Sequence, residues 1–271
     1  PLLLPLPSLP PFSLLPTHPP QPPHNPHAPP RTPHVQLLVD LAVADADCAS
    51  AIVQAGAIPR LVAQMAARET SMRARELAAI VLCHLGRSSD AIVEQIAGAN
   101  AIRALVSLAS SLSKVAQTNA SRVLGDLARV SAPSCVTILE AGGVPRLVDL
   151  MRSSLPAPLS YDFPTGWMST APEVRLEAAR ALLWLARGGL ALQKAIGDAG
   201  AAELLVTLLK DGGVDAKQTA SRAIAALCRG RMSTSQDAVE AAGGIAALAA
   251  LLAPGGGGSG GSGSGSGGGS G

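Results

Sequence analysis

Aromatic side chains are nearly missing from this 271-residue chain, at 2% of the total. A core without large rings has to be filled by Ala, Leu, Val and Ile in small, close contacts, which favours helices packed on helices. Cysteine is scarce too: Cys48, Cys83, Cys135 and Cys228 lie far apart with no CxxC pair. Such spacing excludes a disulfide framework and predicts reduced, buried thiols. Neither sign of charge dominates, with Lys plus Arg at 21 against Asp plus Glu at 19. A formal balance of +2 gives no general drive toward nucleic acid or an anionic membrane. Long apolar runs are lacking as well, because proline interrupts PLLLPLPSLPPFSLLP and the late GIAALAALLA is too short to span a bilayer.

Motifs for chemistry are likewise wanting. Outside the Gly/Ser stretch there is no GxSxG, and nowhere a Walker-type glycine loop, HExxH or paired-cysteine site. Cys83 and His84 are neighbours, but on a helix they point about 100° apart, so no thiolate–imidazolium pair follows. A non-enzymatic protein with no cofactor, no metal and no small-molecule substrate is expected, in the cytoplasm or nucleus.

What the chain does have is a division into three compositions. Residues 1–34 hold fourteen prolines and four of the five histidines, His18, His24, His27 and His34. This segment is expected to be a disordered, polyproline-like tail, and without cysteine or carboxylate partners its histidines make no metal site. Residues 254–271 are expected to be a flexible Gly/Ser linker. Between them, residues 35–253 carry the apolar content that can fold.

That middle region repeats. AGAIPRLV at Ala55 to Val62 returns as ANAIRALV from Ala99, AGGVPRLV from Ala141, AGAAELLV from Ala199 and AGGIAALA from Ala242. A second motif keeps step with it: AAIVLCHLGR ending at Arg87, ASRVLGDLAR at Arg129, AARALLWLAR at Arg187 and ASRAIAALCR at Arg229, with an echo in LLVDLA at Leu37 to Ala42. Each unit reads as three helices. A short first helix is ended by the glycine of the AGG-like turn, which tolerates a left-handed cap. A second begins at the turn, where Pro59 and Pro145 suit its first turn. The third and longest carries apolar residues at three- and four-residue steps, as in Val174, Leu176, Ala178, Ala181, Leu182 and Leu185. No single unit buries its own apolar faces, so stacking must complete the core.

The AGG-I-P-x-L-V turn, the A-A-x-A-L-x-x-L-A helix and a period near 42 residues resemble armadillo repeats, as in proteins of the β-catenin and importin-α type and the vacuolar adaptor. HEAT repeats, the nearest alternative, lack this glycine turn and pair two helices. The resemblance implies an all-α, right-handed solenoid of about four complete repeats with a partial repeat at each end, whose third helices line a concave groove. It also implies a protein-binding scaffold or adaptor. Other members of the family are substrate arms of U-box ubiquitin ligases or nuclear transport receptors.

Peptide-binding armadillo proteins carry an asparagine just before the closing L-A of each third helix. Here the matching positions are Asp40, His84, Asp126, Trp184 and Ala226. The tryptophan that importin-like receptors place four residues earlier is replaced by Ile80, Arg122, Arg180 and Arg222. Recognition of a basic peptide through an amide ladder is therefore not expected. Instead Arg122, Arg180 and Arg222 hold one repeat position, and Arg87, Arg129, Arg187 and Arg229 another seven residues on, nearly two helical turns away and on the same face. Two readings stand side by side. The columns suit an extended acidic or phosphorylated segment of a protein partner, because guanidinium binds carboxylate and phosphate in bidentate fashion. Alternatively the terminal column offsets helix dipoles and caps carbonyls, and Arg122 pairs locally with Asp126.

One interval is longer than the rest. Its excess, residues 153–170, contains Tyr161, Phe163 and Trp167. Aromatics concentrated in a proline-containing insertion read as a strip that docks on the solenoid or on the partner, with Trp184 as a neighbour.

Overall fold

The computed structural model describes residues 32–67, 69–152, 171–229 and 233–252, all within the unit Thr32–Gly271. The aromatic insertion 153–170 with Tyr161, Phe163 and Trp167, the segment 1–31 with His18, His24 and His27, and the Gly/Ser stretch lie outside the described residues.

Among the described residues there are fifteen helices and no strand. They begin with a lone third helix, α1 (Thr32–Ala44), with Pro33 in its first turn, where its missing N–H costs nothing. Four complete triplets follow: α2 (Ala46–Gln54), α3 (Ala57–Ala66) and α4 (Met72–Ser88); α5 (Asp90–Gly98), α6 (Ile102–Ala109) and α7 (Lys114–Val130); α8 (Ala132–Glu140), α9 (Gly143–Arg152) and α10 (Ala171–Arg187); α11 (Leu190–Asp198), α12 (Ala201–Asp211) and α13 (Val214–Cys228). The series closes on a first and second helix, α14 (Ser233–Ala241) and α15 (Gly244–Leu252). Three helices per repeat, four full repeats and a part at either end are as the sequence motifs require.

Local chemistry explains the joints. At every first-to-second turn one residue takes the left-handed conformation: Gly56, Gly142, Gly200 and Gly243 at φ of 72° to 77°, and Asn100 at 59° where the motif reads ANA. Asparagine is the residue after glycine that tolerates this region best. Serine hydroxyls cap the next helices, Ser71 and Ser113 accepting from the N–H groups of Ala74 and Ala116, and Ser89 and Ser131 from those of Ala91 and Ser134. Between repeats, cations at the ends of second helices donate to the last carbonyls of the following first helix: Arg152 Nη2 to Ala199 O at 3.0 Å and Lys210 Nζ to Ala242 O at 3.0 Å.

The third helices pack in series, α1 on α4, α4 on α7, α7 on α10 and α10 on α13, and the second helices form a parallel series, α3, α6, α9, α12 and α15. Between the two runs one continuous apolar core. Val174, Ala178, Ala181, Leu182 and Leu185 are buried there as their spacing predicts, and Leu176 is half-buried at the margin. A fully buried leucine such as Leu127 contributes about 1.5–3 kcal/mol. At the middle of the series α7 and α10 approach so closely that a Cβ on Gly125 would lie 3.3 Å from the Ala181 Cα.

Candidate functional site

Neighbours on both sides leave the inner third helices a single strip of surface. In α7 from Val115 to Arg129, only Asn119, Arg122, Asp126 and Arg129 escape burial, at steps of three and four residues. The same positions in α10 are Arg180, Trp184 and Arg187, and in α4 His84 and Arg87, while Ile80 is buried. On α13 the strip holds Arg222, with Arg229 at the helix C-cap, but Ala226 is buried and Ala225 faces out instead. Six of the seven arginines on which the sequence reading turned thus lie on three adjacent helices of one row, α7, α10 and α13. Arg87 extends the row onto α4.

Their partners differ from the expected ones. Arg122 does not pair locally with Asp126. Its Nη2 donates to Glu177 Oε1 at 2.8 Å on the next third helix, and its Nη1 lies 4.0 Å from Cys83 Sγ on the preceding one. The guanidinium therefore ties α4, α7 and α10 together. Burial opposes its charge, but the bond to Glu177 and the nearness of Cys83 outweigh that, so its pKa is raised. Glu177, only 3% exposed, also accepts from Arg180 Nη1 at 3.0 Å and 3.1 Å. One buried carboxylate thus serves two of the three mid-helix arginines. Burial pushes the Cys83 thiol up to about 11, despite the neighbouring Arg122. Burial likewise raises the Asp126 carboxyl, against the pull of Arg129, and lowers the His84 imidazole together with Arg87 and Arg122.

In the terminal column Arg129 is bidentate to Asp90, with Nη2 to Oδ1 at 2.6 Å and Nη1 to Oδ2 at 3.2 Å. That bond holds Asp90 below the usual carboxylate range. Arg187 lies over the Trp184 ring, 4.9 Å from its centroid. Arg87, Arg222 and Arg229 make no ion pair with a described residue, and none of the four terminal arginines donates to a carbonyl of its own helix. The carbonyls at the ends of α7, α10 and α13 accept instead from the following first helix, Ala128 O from Cys135 Sγ at 3.3 Å, Ala186 O from Gln193 Nε2 at 2.9 Å and Cys228 O from Gln236 Nε2 at 3.0 Å.

Two functional neighbours escaped the sequence reading, Glu177 and Asp90. Glu177 had a signal: it occupies a helix position that reads Leu77, Asn119 and Thr219 in the other repeats, so an acid there is out of pattern. Asp90 had none, because only folding brings the start of α5 beside the end of α7. The cysteines divide. Cys83 and Cys135 are buried as expected, whereas Cys48 and Cys228 are half-buried, and all four are free thiols. Among the described residues no group of His, Cys, Asp and Glu could hold a metal ion, and no single helix is long and apolar enough to cross a membrane.

A row of three-helix units with one exposed strip per third helix defines a repeat solenoid built to present side chains in columns. No protein-family model and no curated protein matches the chain. Solved structures do. An engineered protein is 31% identical with a TM-score of 0.68, covering 82% of this chain and 82% of its own. A designed armadillo repeat protein in complex with peptide (KR)4 is 22% identical with a TM-score of 0.65, covering 80% and 83%. The armadillo-repeats-only protein from Plasmodium falciparum is 17% identical with a TM-score of 0.58, covering 72% and 79%. With the repeated motifs and the triplet architecture, the chain has the armadillo-repeat fold.

Proposed function

We propose that this chain is a scaffold or adaptor that holds an extended acidic or phosphorylated segment of a partner protein along the strip of third helices. The observation that supports this reading is the charge left over after internal pairing. Glu177 absorbs part of Arg122 and Arg180, and Asp90 engages Arg129. Among the described residues no acid pairs with Arg87, Arg187, Arg222 or Arg229. Three of those four, with the 41%-exposed side chain of Arg180, lie on the adjacent helices α10 and α13. Such a cluster offers bidentate, charge-assisted bonds to successive carboxylates or phosphates. Trp184 adds an apolar face that Arg187 already covers in part, and His84, whose pKa is lowered by burial and by Arg87 and Arg122, extends the strip toward α4. The designed relative solved with peptide (KR)4 holds a basic ligand. The arginines here favour the opposite sign.

The arginines divide by role. Arg122 and Arg129 work mainly within the solenoid, while Arg180, Arg187, Arg222 and Arg229 contact the partner. A fluorescein-labelled oligoglutamate peptide and its phosphoserine counterpart are suitable probes for anisotropy titration. Replacing Arg187, Arg222 and Arg229 together by Ala should weaken binding by about tenfold or more and flatten its salt dependence, with circular dichroism unchanged. Equal affinity of the triple variant and the parent chain would dispose of the proposal.

A further inference from the structure

The described helices begin and end out of phase with the repeat. Helix α1 is a third helix with no described first or second helix of its own, and α14 and α15 are a first and second helix with no described third. Each end therefore shows the surface that the other would cover.

Burial states the mismatch quantitatively. Leu37 of α1 is 59% exposed and Leu41 is 40% exposed. The equivalent positions in the four complete repeats, Val81, Val123, Ala181 and Ala223 for the first and Leu85, Leu127, Leu185 and Leu227 for the second, are no more than 2% exposed. At the first of these positions the preceding third helix closes the face, as Gly125 of α7 does against Ala181 of α10. At the other end Ile245 of α15 is 62% exposed, whereas its equivalents Ile58, Ile102, Val144 and Ala202 are at most 4% exposed under their third helices. Helix α15, GIAALAALL, has no polar side chain on any face. A helix apolar all round belongs in an interior.

A receiving site lies beside α1. A groove of about 410 Å3 runs between α1, α2 and α3, its apolar walls formed by Leu38, Ile52, Ala57 and Leu61 and its polar margin by Arg60 and Gln64. Second helices pack in series through the rest of the molecule, α3 on α6, α6 on α9, α9 on α12 and α12 on α15, so this groove is where a second helix preceding α3 would sit. The side-chain nitrogen of Gln64, on its wall, is buried without a hydrogen-bond partner. An incoming helix could supply the carbonyl it lacks.

The geometry points to head-to-tail association of this chain with a second copy, in which α14 and α15 of one molecule and α1 of the next complete a repeat. In that joint α15 enters the groove beside α3, Leu37 packs on α13 of the neighbouring copy as Ala181 does on α7, Ile245 comes under α1, and the rows of second and third helices continue across the boundary. The contact is heterologous, using different surfaces on the two partners, so it propagates into linear assemblies unless the superhelix closes into a ring. This inference is independent of the proposed peptide binding, because none of its residues lies on the arginine strip.

Sedimentation velocity of the full chain over a concentration series tests it. The average mass should rise with concentration beyond that of a dimer. Leu41→Glu disables one end and Ile245→Glu the other. Both positions are exposed, so both variants should keep the parent circular dichroism, and Leu37→Glu replaces Leu41→Glu if that variant fails to fold. Each variant alone should be monomeric over the range in which the parent associates. Mixed in equal amounts, they should form dimers and nothing larger, because each retains the one end that the other needs. Three outcomes overturn the proposal: a parent chain that stays monomeric up to about 100 μM, a single variant that still associates through its intact end, or a mixture that remains monomeric.

Discussion

Replacing Glu177 by Gln separates what the buried carboxylate does for the fold from what it does to the surface. The substitution keeps the length of the side chain and creates no cavity, but it removes the charge that Arg122 and Arg180 share. A hydrogen bond to a charged group contributes about 1.5–3 kcal/mol, and breaking a buried pair costs about 3–5 kcal/mol. Both guanidiniums are partly open to water, at 31% and 41% exposed, so solvent recovers part of the loss. The net expectation is a destabilisation of about 1.5 kcal/mol, or roughly 3–6 °C in melting temperature for a domain of this size. A double-mutant cycle with Arg122→Ala should give the larger coupling and one with Arg180→Ala the smaller, because Arg122 joins neighbouring repeats whereas Arg180 lies one turn along the same helix. The same variant should bind the oligoglutamate probe more tightly, since two arginines lose their internal counter-charge. Thermal melts and anisotropy on one preparation read both effects. An unchanged melting temperature, or an Arg180 coupling as large as that of Arg122, would refute the assignment of Glu177 as the tie between third helices.

Gly125→Val should separate α7 from α10, because its Cβ would stand 3.3 Å from the Ala181 backbone and the branches closer still. A loss of about 1–3 kcal/mol is expected in urea melts, and a neutral result would show that the two helices can move apart freely. Under native conditions at pH 8 a thiol-specific reagent should modify the half-buried Cys48 and Cys228 before Cys83 and Cys135. Cys83, raised to about 11, should react only as the chain unfolds.

The solenoid was legible in the chain because its determinants are local and recur. Left-handed turns at Gly56, Gly142, Gly200 and Gly243, prolines in first turns and apolar steps along third helices each act within a few residues, and repetition turns each reading into several independent ones. The solvent-facing strip was legible for the same reason, since helical periodicity puts Arg122 and Arg129, or Arg180 and Arg187, on one face whatever surrounds them. Asn100 shows how far this extends: it takes the turn conformation of a glycine because the motif, not the residue, sets the backbone.

Partnerships across the strip depend on tertiary structure alone. Stacking places residues 39 to 55 positions apart within bonding distance, Arg129 on Asp90 and Arg122 on Glu177, and no local pattern encodes which acid meets which base. The burial of Ala226 with Ala225 turned outward follows from packing near the end of the series. So does the exposure of Leu37, Leu41 and Ile245, whose residue types match those of buried equivalents. Side-chain periodicity assigns a face to a helix, but only the neighbour standing against that face decides whether its charges are free, shared or covered.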